Sequence, residues 1–503
     1  MLKNLVILNS YYDSATLMLL TNQIKQNLSL KSDEISIMMA TEMNKRIMDE
    51  SGLLDETGRN ANPGDVLIAI KSDLEDKEIL EMINELLNKK VENKKTTDVE
   101  VTSVDEAVEV FEESNFAVVS IPGAYAAREV KKLLNANKHV LLFSDNVSIE
   151  DENKLKDLAI EKDLLMMGPD CGTAIIKGVG LGFANKVNKG NIGIVAASGT
   201  GLQEVATIIS NNGGGISYAF GTGGRDIKDE VGGKMMLHCL DLLMKDEETK
   251  TIVIVSKPPS KSVMEKIFQK LKGNTKPVVA CFLGEDADKF KIDNWTFCET
   301  LEGVAVEALK VSGIEYKENF DVEKAVSELE MNKNTKYLRA IYCGGTLAYE
   351  TLLMLEKENF EVYSNLAKKP EKKLGIKDSS KCNTVLDMGE DEYTVGKPHP
   401  MINSASRSEQ LLKEAEDSEV GIMIADVELG YGSNDLATDD LAEVIKMIKS
   451  KREDIIFIGV ICGSKQDYQN YELKRNLLKE AGAIVVDSNA QGIRLAIQLL
   501  KKL

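Results

Sequence analysis

Ile192-Gly-Ile-Val-Ala-Ala-Ser198-Gly199-Thr200-Gly201 sets an apolar strand against a run of small residues and the start of a helix. That order suits an anion: small side chains let it approach the backbone, the free N–H groups of the first helical turn point at it, and Ser198 and Thr200 add hydroxyl donors. It equally suits a plain helix cap, in which Ser198 or Thr200 accepts from the first turn and nothing is bound. A second turn, Leu429-Gly430-Tyr-Gly432-Ser433-Asn434-Asp435, follows a strand expected at 421–424 and precedes a helix expected near Asp435, with Ser433 and Asn434 as natural cap residues. Two facing helix N-termini can grip one phosphate, so the anion site is expected between 198–200 and 430–433.

Three further turns carry glycine: Gly221-Thr-Gly-Gly-Arg225-Asp226, Cys343-Gly344-Gly345-Thr346 and Cys462-Gly-Ser-Lys465. Each can be a tight strand-to-helix connection that uses glycine only for positive φ. Arg225 stands out because a guanidinium on such a loop meets a carboxylate or phosphate bidentately; the competing partner is Asp226 or Asp229. There are three histidines. His139 opens an apolar strand and His238 lies in a helical pattern, which suits packing. His399 lies in Gly396-Lys-Pro-His-Pro400-Met-Ile402, where two prolines restrict the backbone and hold the ring; acid–base catalysis and a structural loop role both remain open. We expect it near the cleft where the third and fourth segments of the chain meet.

The elements that must position these groups alternate as short apolar strand, turn and amphipathic helix, which argues for parallel α/β sheets. Strands are expected at 5–8, 65–70, 116–121, 139–143, 191–197, 251–255, 277–282, 338–343, 421–424, 455–461 and 483–486. Polar stretches at 89–102, 186–191 and 315–336 divide them into segments 1–105, 106–190, 191–325 and 335–503, with a charged surface loop at 368–381. A formal charge of −19 and an aromatic content of only 5% disfavour nucleic acid and anionic membranes as partners. Seven cysteines, odd in number and with no Cys-x-x-Cys pair, indicate neither a disulfide framework nor a metal site. With no signal-peptide pattern and no apolar run of membrane-spanning length, a cytoplasmic location is expected.

Gly168-Pro-Asp170-Cys171-Gly-Thr-Ala-Ile-Ile176, then Ser198-Gly-Thr, then Gly221-Thr-Gly-Gly-Arg-Asp226 resemble, in order, the α subunit of succinyl-CoA synthetase. The region from about 338 to the end resembles the C-terminal domain of its β subunit. With Tyr12-Asp-Ser-Ala-Thr-Leu-Met18 and the His399-Pro-Met-Ile402 segment, the chain is similar to the FdrA branch of that superfamily. The resemblance implies several Rossmann-like and flavodoxin-like parallel-sheet domains without an ATP-grasp domain. The second segment would be Rossmann-like, and the third and fourth ligase domains of α- and β-subunit type. It implies phosphate contacts from Ser198, Gly199, Thr200, Gly430, Gly432 and Ser433; beside these we expect catalytic roles for His399, Thr200 and Arg225, and Asp170, Cys171, Gly344 and Gly345 in the cleft. The relay histidine of the synthetases should follow the strand at 277–282, yet 283–299 holds no histidine, and segment 5–24 lacks the glycine-rich fingerprint used for CoA.

The function implied is that of an FdrA-type subunit acting with two partner subunits as an oxamate carbamoyltransferase. Oxalurate and phosphate would become oxamate and carbamoyl phosphate in allantoin and purine breakdown. No cofactor is expected beyond phosphate or carbamoyl phosphate as substrate or product, and an oligomer is expected. The alternatives are an acyl-CoA synthetase-like or CoA-binding subunit, and a non-catalytic phosphate-binding scaffold.

Overall fold

The computed structural model describes residues 2–8, 10, 12, 14–28, 30, 34–92, 101–394 and 397–503. Part of the polar stretch at 89–102, Asp13 in the Tyr12 motif and Gly396 before His399 lie outside the described residues. Contacts divide the chain into two compact units, 1–102 and 103–503.

In the first unit Val66–Lys71 lies between Leu2–Ile7 and Ile35–Met39 and runs antiparallel to both. This corrects the parallel arrangement expected for the chain as a whole. The strand Val66–Lys71 is almost wholly buried, so its apolar run matches a parallel-sheet strand in composition although its neighbours run the other way.

The second unit contains three sheets. Phe116–Val119, His139–Leu142 and Met166–Met167 form a small parallel sheet. A seven-stranded sheet runs Trp295–Cys298, Val278–Phe282, Thr251–Ser256, Lys189–Ala196, Ile216–Gly221, Thr173–Ile176 and Val179–Gly182; the first five strands are parallel and the last two form an antiparallel edge. The edge hairpin is continuous with this sheet rather than with the Rossmann-like strands, so the seven-stranded sheet begins before the division expected at 190. A six-stranded, fully parallel sheet runs Val362–Ser364, Asn383–Asp387, Tyr337–Tyr342, Val420–Glu428, Ile456–Cys462 and Ala483–Val486. Val420–Glu428, Ile456–Cys462 and Ala483–Val486 are continuous Val/Ile-rich runs, as burial on both faces of a parallel sheet favours.

In both large sheets the first of the parallel strands, Lys189–Ala196 in one and Tyr337–Tyr342 in the other, lies in the interior, and the chain winds out from it to either side. The carboxyl end of that strand is therefore a switch point, where an open α/β sheet leaves a crevice. Ser198 and Gly199 follow Lys189–Ala196 at one such point; Cys343 to Gly345 follow Tyr337–Tyr342 at the other.

The helices that leave these two points, Gly199–Asn211 and Gly345–Lys357, pack against each other. Each also caps a helix of the opposite lobe. Glu204 accepts from the Asn489 N–H at 2.9 Å, at the start of Asn489–Leu500, and Glu350 accepts from the Leu301 N–H at 2.7 Å, at the start of Leu301–Val311. The two glutamates hold equivalent places in their helices, so the lobes exchange carboxylate caps in a pseudo-twofold manner. Burial raises Glu204 to about 8 and Glu350 to about 7, because each carboxyl is taken from water and its hydrogen-bond donors are neutral.

Candidate functional site

A cleft of about 850 Å³ opens where the small sheet and both large sheets meet. Its wall includes Ser198, Gly199, Thr200, Arg225, Lys257, Cys343, Gly345, Thr346, Asp387 and His399. The strand-to-helix turn at Ser198 does act as a cap, since its Oγ accepts from the Gly201 N–H at 3.0 Å. The same hydroxyl lies 2.6 Å from Thr346 Oγ1, and Thr200 Oγ1 accepts from the Thr346 N–H at 3.3 Å. The helix N-terminus facing Ser198 is thus the one at Gly345. The N–H groups of Gly199, Thr200 and Gly345 have no acceptor among the described residues. Two helix ends with open donors therefore converge on one cleft, which is the physical requirement for holding a dianion.

The structure does not bring Gly430, Gly432 and Ser433 to this cleft, contrary to the expected pairing. The helix after them begins at Ala437, with Leu436 as an N-cap that offers no side-chain acceptor. Gly430 and Gly432 have φ of 106° and 81°, and a Cβ on Gly430 would come within 2.5 Å of Ala184 O. The turn serves docking: Tyr431 N–H donates to Ala184 O at 2.8 Å, and Asn434 N–H donates to Met401 O at 2.9 Å, holding the His399 loop from behind. Ser433 Oγ is buried and lacks a partner among the described residues.

His399 does reach the cleft. Its Nδ1 accepts from the Met401 N–H at 3.2 Å, which leaves the proton on Nε2, and burial lowers its pKa, so the ring is a neutral N–H donor. Arg225 lines the cleft and pairs with Glu152 at 2.9 Å, not with Asp226 or Asp229. Asp226 instead receives Lys156 at 2.7 Å and the N–H groups of Met235 and Met236, capping the next helix. Asp170, at the rim, is raised to about 6 by loss of water and by Asp145 and Asp391. Cys171 is buried and pushed to about 12, so its thiol stays protonated. Gly344 N–H is taken by Asp426 Oδ2 at 2.7 Å, whereas Gly345 remains open.

Beneath the Cys343–Gly345 turn lies a buried cluster absent from the sequence reading. Asp426 accepts from the N–H groups of Cys343 and Gly344 and pairs with the Arg407 guanidinium at 2.9 Å; Cys343 Sγ lies 2.7 Å from Glu428 and 3.1 Å from Arg407. Burial and the Asp426 charge raise Glu428 well above its usual range. Cys343, Asp426 and Glu428 are grouped as metal ligands would be, but the guanidinium already supplies the local cation. The signal that was overlooked is strand length: Val420–Glu428 continues past 424, and its acidic end is buried because Arg407 and the turn amides receive it.

Asp387 was likewise not anticipated. Asp387 ends Asn383–Asp387, a buried strand directly after the charged loop in which only Val385 and Leu386 are apolar, too short a run to stand out as a strand.

The chain spans three family models: an AllF heavy metal-associated domain over 1–103, a CoA binding domain over 187–284 and a CoA-ligase over 341–499. The YahF protein of Escherichia coli (strain K12) is 38% identical over 506 residues, covering 98% of each chain. This chain belongs to the FdrA family of succinyl-CoA synthetase-like proteins. Subunit α 1 of succinate–CoA ligase from Archaeoglobus fulgidus is 27% identical over 189 residues, 37% of this chain and 63% of that one. Among solved structures, the apo dinucleotide-forming acetyl-coenzyme A synthetase 1 of Ca. Korarchaeum cryptofilum matches at 16% identity and a TM-score of 0.29, over 77% of this chain and 83% of its own. Residues 1–103 contain neither cysteine nor histidine. Among the described residues, no helix is long and apolar enough to cross a membrane.

Thr200→Val tests the anion site directly. Thr200 Oγ1 accepts from Thr346 N–H, so its own proton is free for a ligand. In calorimetric titration with phosphate the variant should lose about 1–3 kcal/mol of binding free energy, the range for a hydrogen bond to a charged partner. Unchanged affinity in a folded variant would reduce Thr200 to a tie between the two helices.

Proposed function

We propose that this chain is the phosphate-orienting subunit of an oxamate carbamoyltransferase that works with two partner subunits. It would convert oxalurate and phosphate to oxamate and carbamoyl phosphate in allantoin and purine breakdown. The observation that carries the proposal is the convergence of the open Gly199, Thr200 and Gly345 amides on one cleft that also holds Arg225, Lys257 and the Nε2 proton of His399. Such a site can fix phosphate as a nucleophile and polarise the attacked carbonyl without a histidine relay, by orientation and preorganised charge. The AllF-type first domain and the family membership support the same function. The test is phosphorus NMR of the chain mixed with its two partner subunits, oxalurate and phosphate. Carbamoyl phosphate should accumulate with the complete set, and its absence there would remove the proposal.

A second function, CoA binding by an acyl-CoA synthetase-like subunit, is favoured by one observation. Val118, Ile121 and Tyr125 are 54%, 38% and 69% exposed, and Ile121 borders the cleft. An apolar shelf beside an anion site suits a pantetheine chain attached to phosphates. Micromolar CoA binding that is weakened by Tyr125→Ala, together with no carbamoyl phosphate from the complete set, would favour it over the first.

A further inference from the structure

We propose that Asp387 is the residue that carries the proton in the cleft, while His399 only donates a hydrogen bond. The proposal rests on the carbamoyl-transfer function above and names a residue that the family resemblance did not supply.

The chemistry sets the need. When an oxygen of hydrogen phosphate attacks the carbamoyl carbon, an O–C bond forms and the bond from that carbon to the oxamate nitrogen breaks. The electron pair of the broken bond goes to nitrogen. The proton of hydrogen phosphate must end on that nitrogen, so that oxamate leaves as a neutral amide and carbamoyl phosphate as a dianion. A single group that takes the proton from phosphate and returns it to nitrogen balances the step and finishes in its starting state. Such a group works best when it titrates near the working pH.

His399 is ill placed for this task. Its Nδ1 is occupied by the Met401 N–H, so Nε2 bears the proton and has no free lone pair to receive another. Asp387 is well placed. It ends the strand Asn383–Asp387, next to Tyr337–Tyr342, and its Oδ1 accepts from the Gly389 N–H at 2.8 Å. Its Oδ2 has no protein partner among the described residues and faces the open end of the Gly345 helix, where a Cβ on Gly345 would come within 2.4 Å of it. A Cβ on Gly389 would meet both His399 Nε2, at 2.5 Å, and Asp387 Oδ1, at 3.1 Å, so both groups border the same small space. Asn365 holds the backbone on either side of the carboxyl, donating to Asp387 O and accepting from its N–H. The charged groups that act on the carboxyl are Glu390, Asp426 and Lys257, and burial is the largest influence; together they place its titration at about 7.

Proton linkage in phosphate binding tests the assignment without relying on turnover. A dianion arriving beside Asp387 raises the pKa of its carboxyl further, so binding at pH 7.5 should draw a proton from solution. Calorimetric titration of the full chain with inorganic phosphate, in buffers of different ionisation enthalpy, reads that uptake. Wild type should take up a substantial fraction of one proton more than Asp387→Asn, and the variant should still bind phosphate. Equal uptake in the two proteins would overturn the assignment of Asp387 and leave the anion site standing. Absence of phosphate binding by wild type would instead overturn the site, and this inference with it. In the complete complex, Asp387→Asn should slow carbamoyl phosphate formation roughly 10²–10⁴-fold and remove the ionisation near neutral pH from the rate profile. A variant that keeps that ionisation at near-normal rate would likewise exclude Asp387.

Discussion

Arg407→Met is expected to lower the unfolding free energy of the 103–503 unit by about 3–5 kcal/mol, read from urea midpoints, because it strips a fully buried carboxylate of its counter-ion. Asp426 would keep the N–H groups of Cys343 and Gly344 but lose the guanidinium at 2.9 Å, and Glu428 beside it offers no positive charge. The loss reaches the cleft as well, since Asp426 anchors the turn from which the Gly345 helix starts. The double variant Arg407→Met with Asp426→Asn removes both charges and should recover part of the stability, as buried pairs replaced together commonly do. A single-variant effect below about 1 kcal/mol would show that water or rearrangement compensates Asp426, and the cluster would not be the closed unit described above.

The second large effect is a dependence of stability on pH above the usual carboxylate range. Glu204 and Glu350 are raised on folding to about 8 and about 7, while in the unfolded chain they titrate near 4.5. Their favourable contribution is complete below about pH 4.5, where both states are protonated. It is lost as pH rises through the folded values, because the unfolded chain releases these protons first. For Glu204 the difference is on the order of 4 kcal/mol by pH 8. The groups facing Glu204 are the Asn489 N–H, Cys462, Glu350 and Glu302; those facing Glu350 are the Leu301 N–H, Asn489, Glu302 and Arg494. Glu204→Gln keeps an oxygen for the Asn489 N–H and abolishes the titration. Stability curves of wild type and variant should therefore converge toward pH 5 and separate toward pH 8, with the variant the more stable at the alkaline end. Parallel curves across that range would show that Glu204 is already ionised in the folded protein.

The longer interior strands of the two large sheets, near 191–197, 251–255, 277–282, 338–343, 421–424 and 455–461, were open to direct reading as buried apolar runs between turns, whereas Ile216–Gly221, Asn383–Asp387 and most of the edge strands, shorter or more polar, were not. The Ser198 turn was legible as the start of a helix, because small residues stand there between an apolar strand and an amphipathic run, but its sequence fitted a plain cap as well as an anion site. Strand direction in the first unit was not legible, since an interior strand such as Val66–Lys71 is apolar whichever way its neighbours run. The identity of the helix facing Ser198 was decided only by tertiary structure. Cys343-Gly-Gly-Thr346 and Gly430 to Ser433 both present glycines after a buried strand, and local pattern cannot say which crevice each enters. Packing separates them: positive φ lets Gly430 press against Ala184 O, whereas Gly345 is left open beside Asp387. The same holds for Asp387, Asp426 and Arg407. Their charges read locally as surface residues; Asp426 is buried because it meets Arg407, 19 positions away, and the Cys343 N–H, 83 positions away, whereas the Asp387 carboxyl is received by the nearby Gly389 N–H and its backbone is held by Asn365.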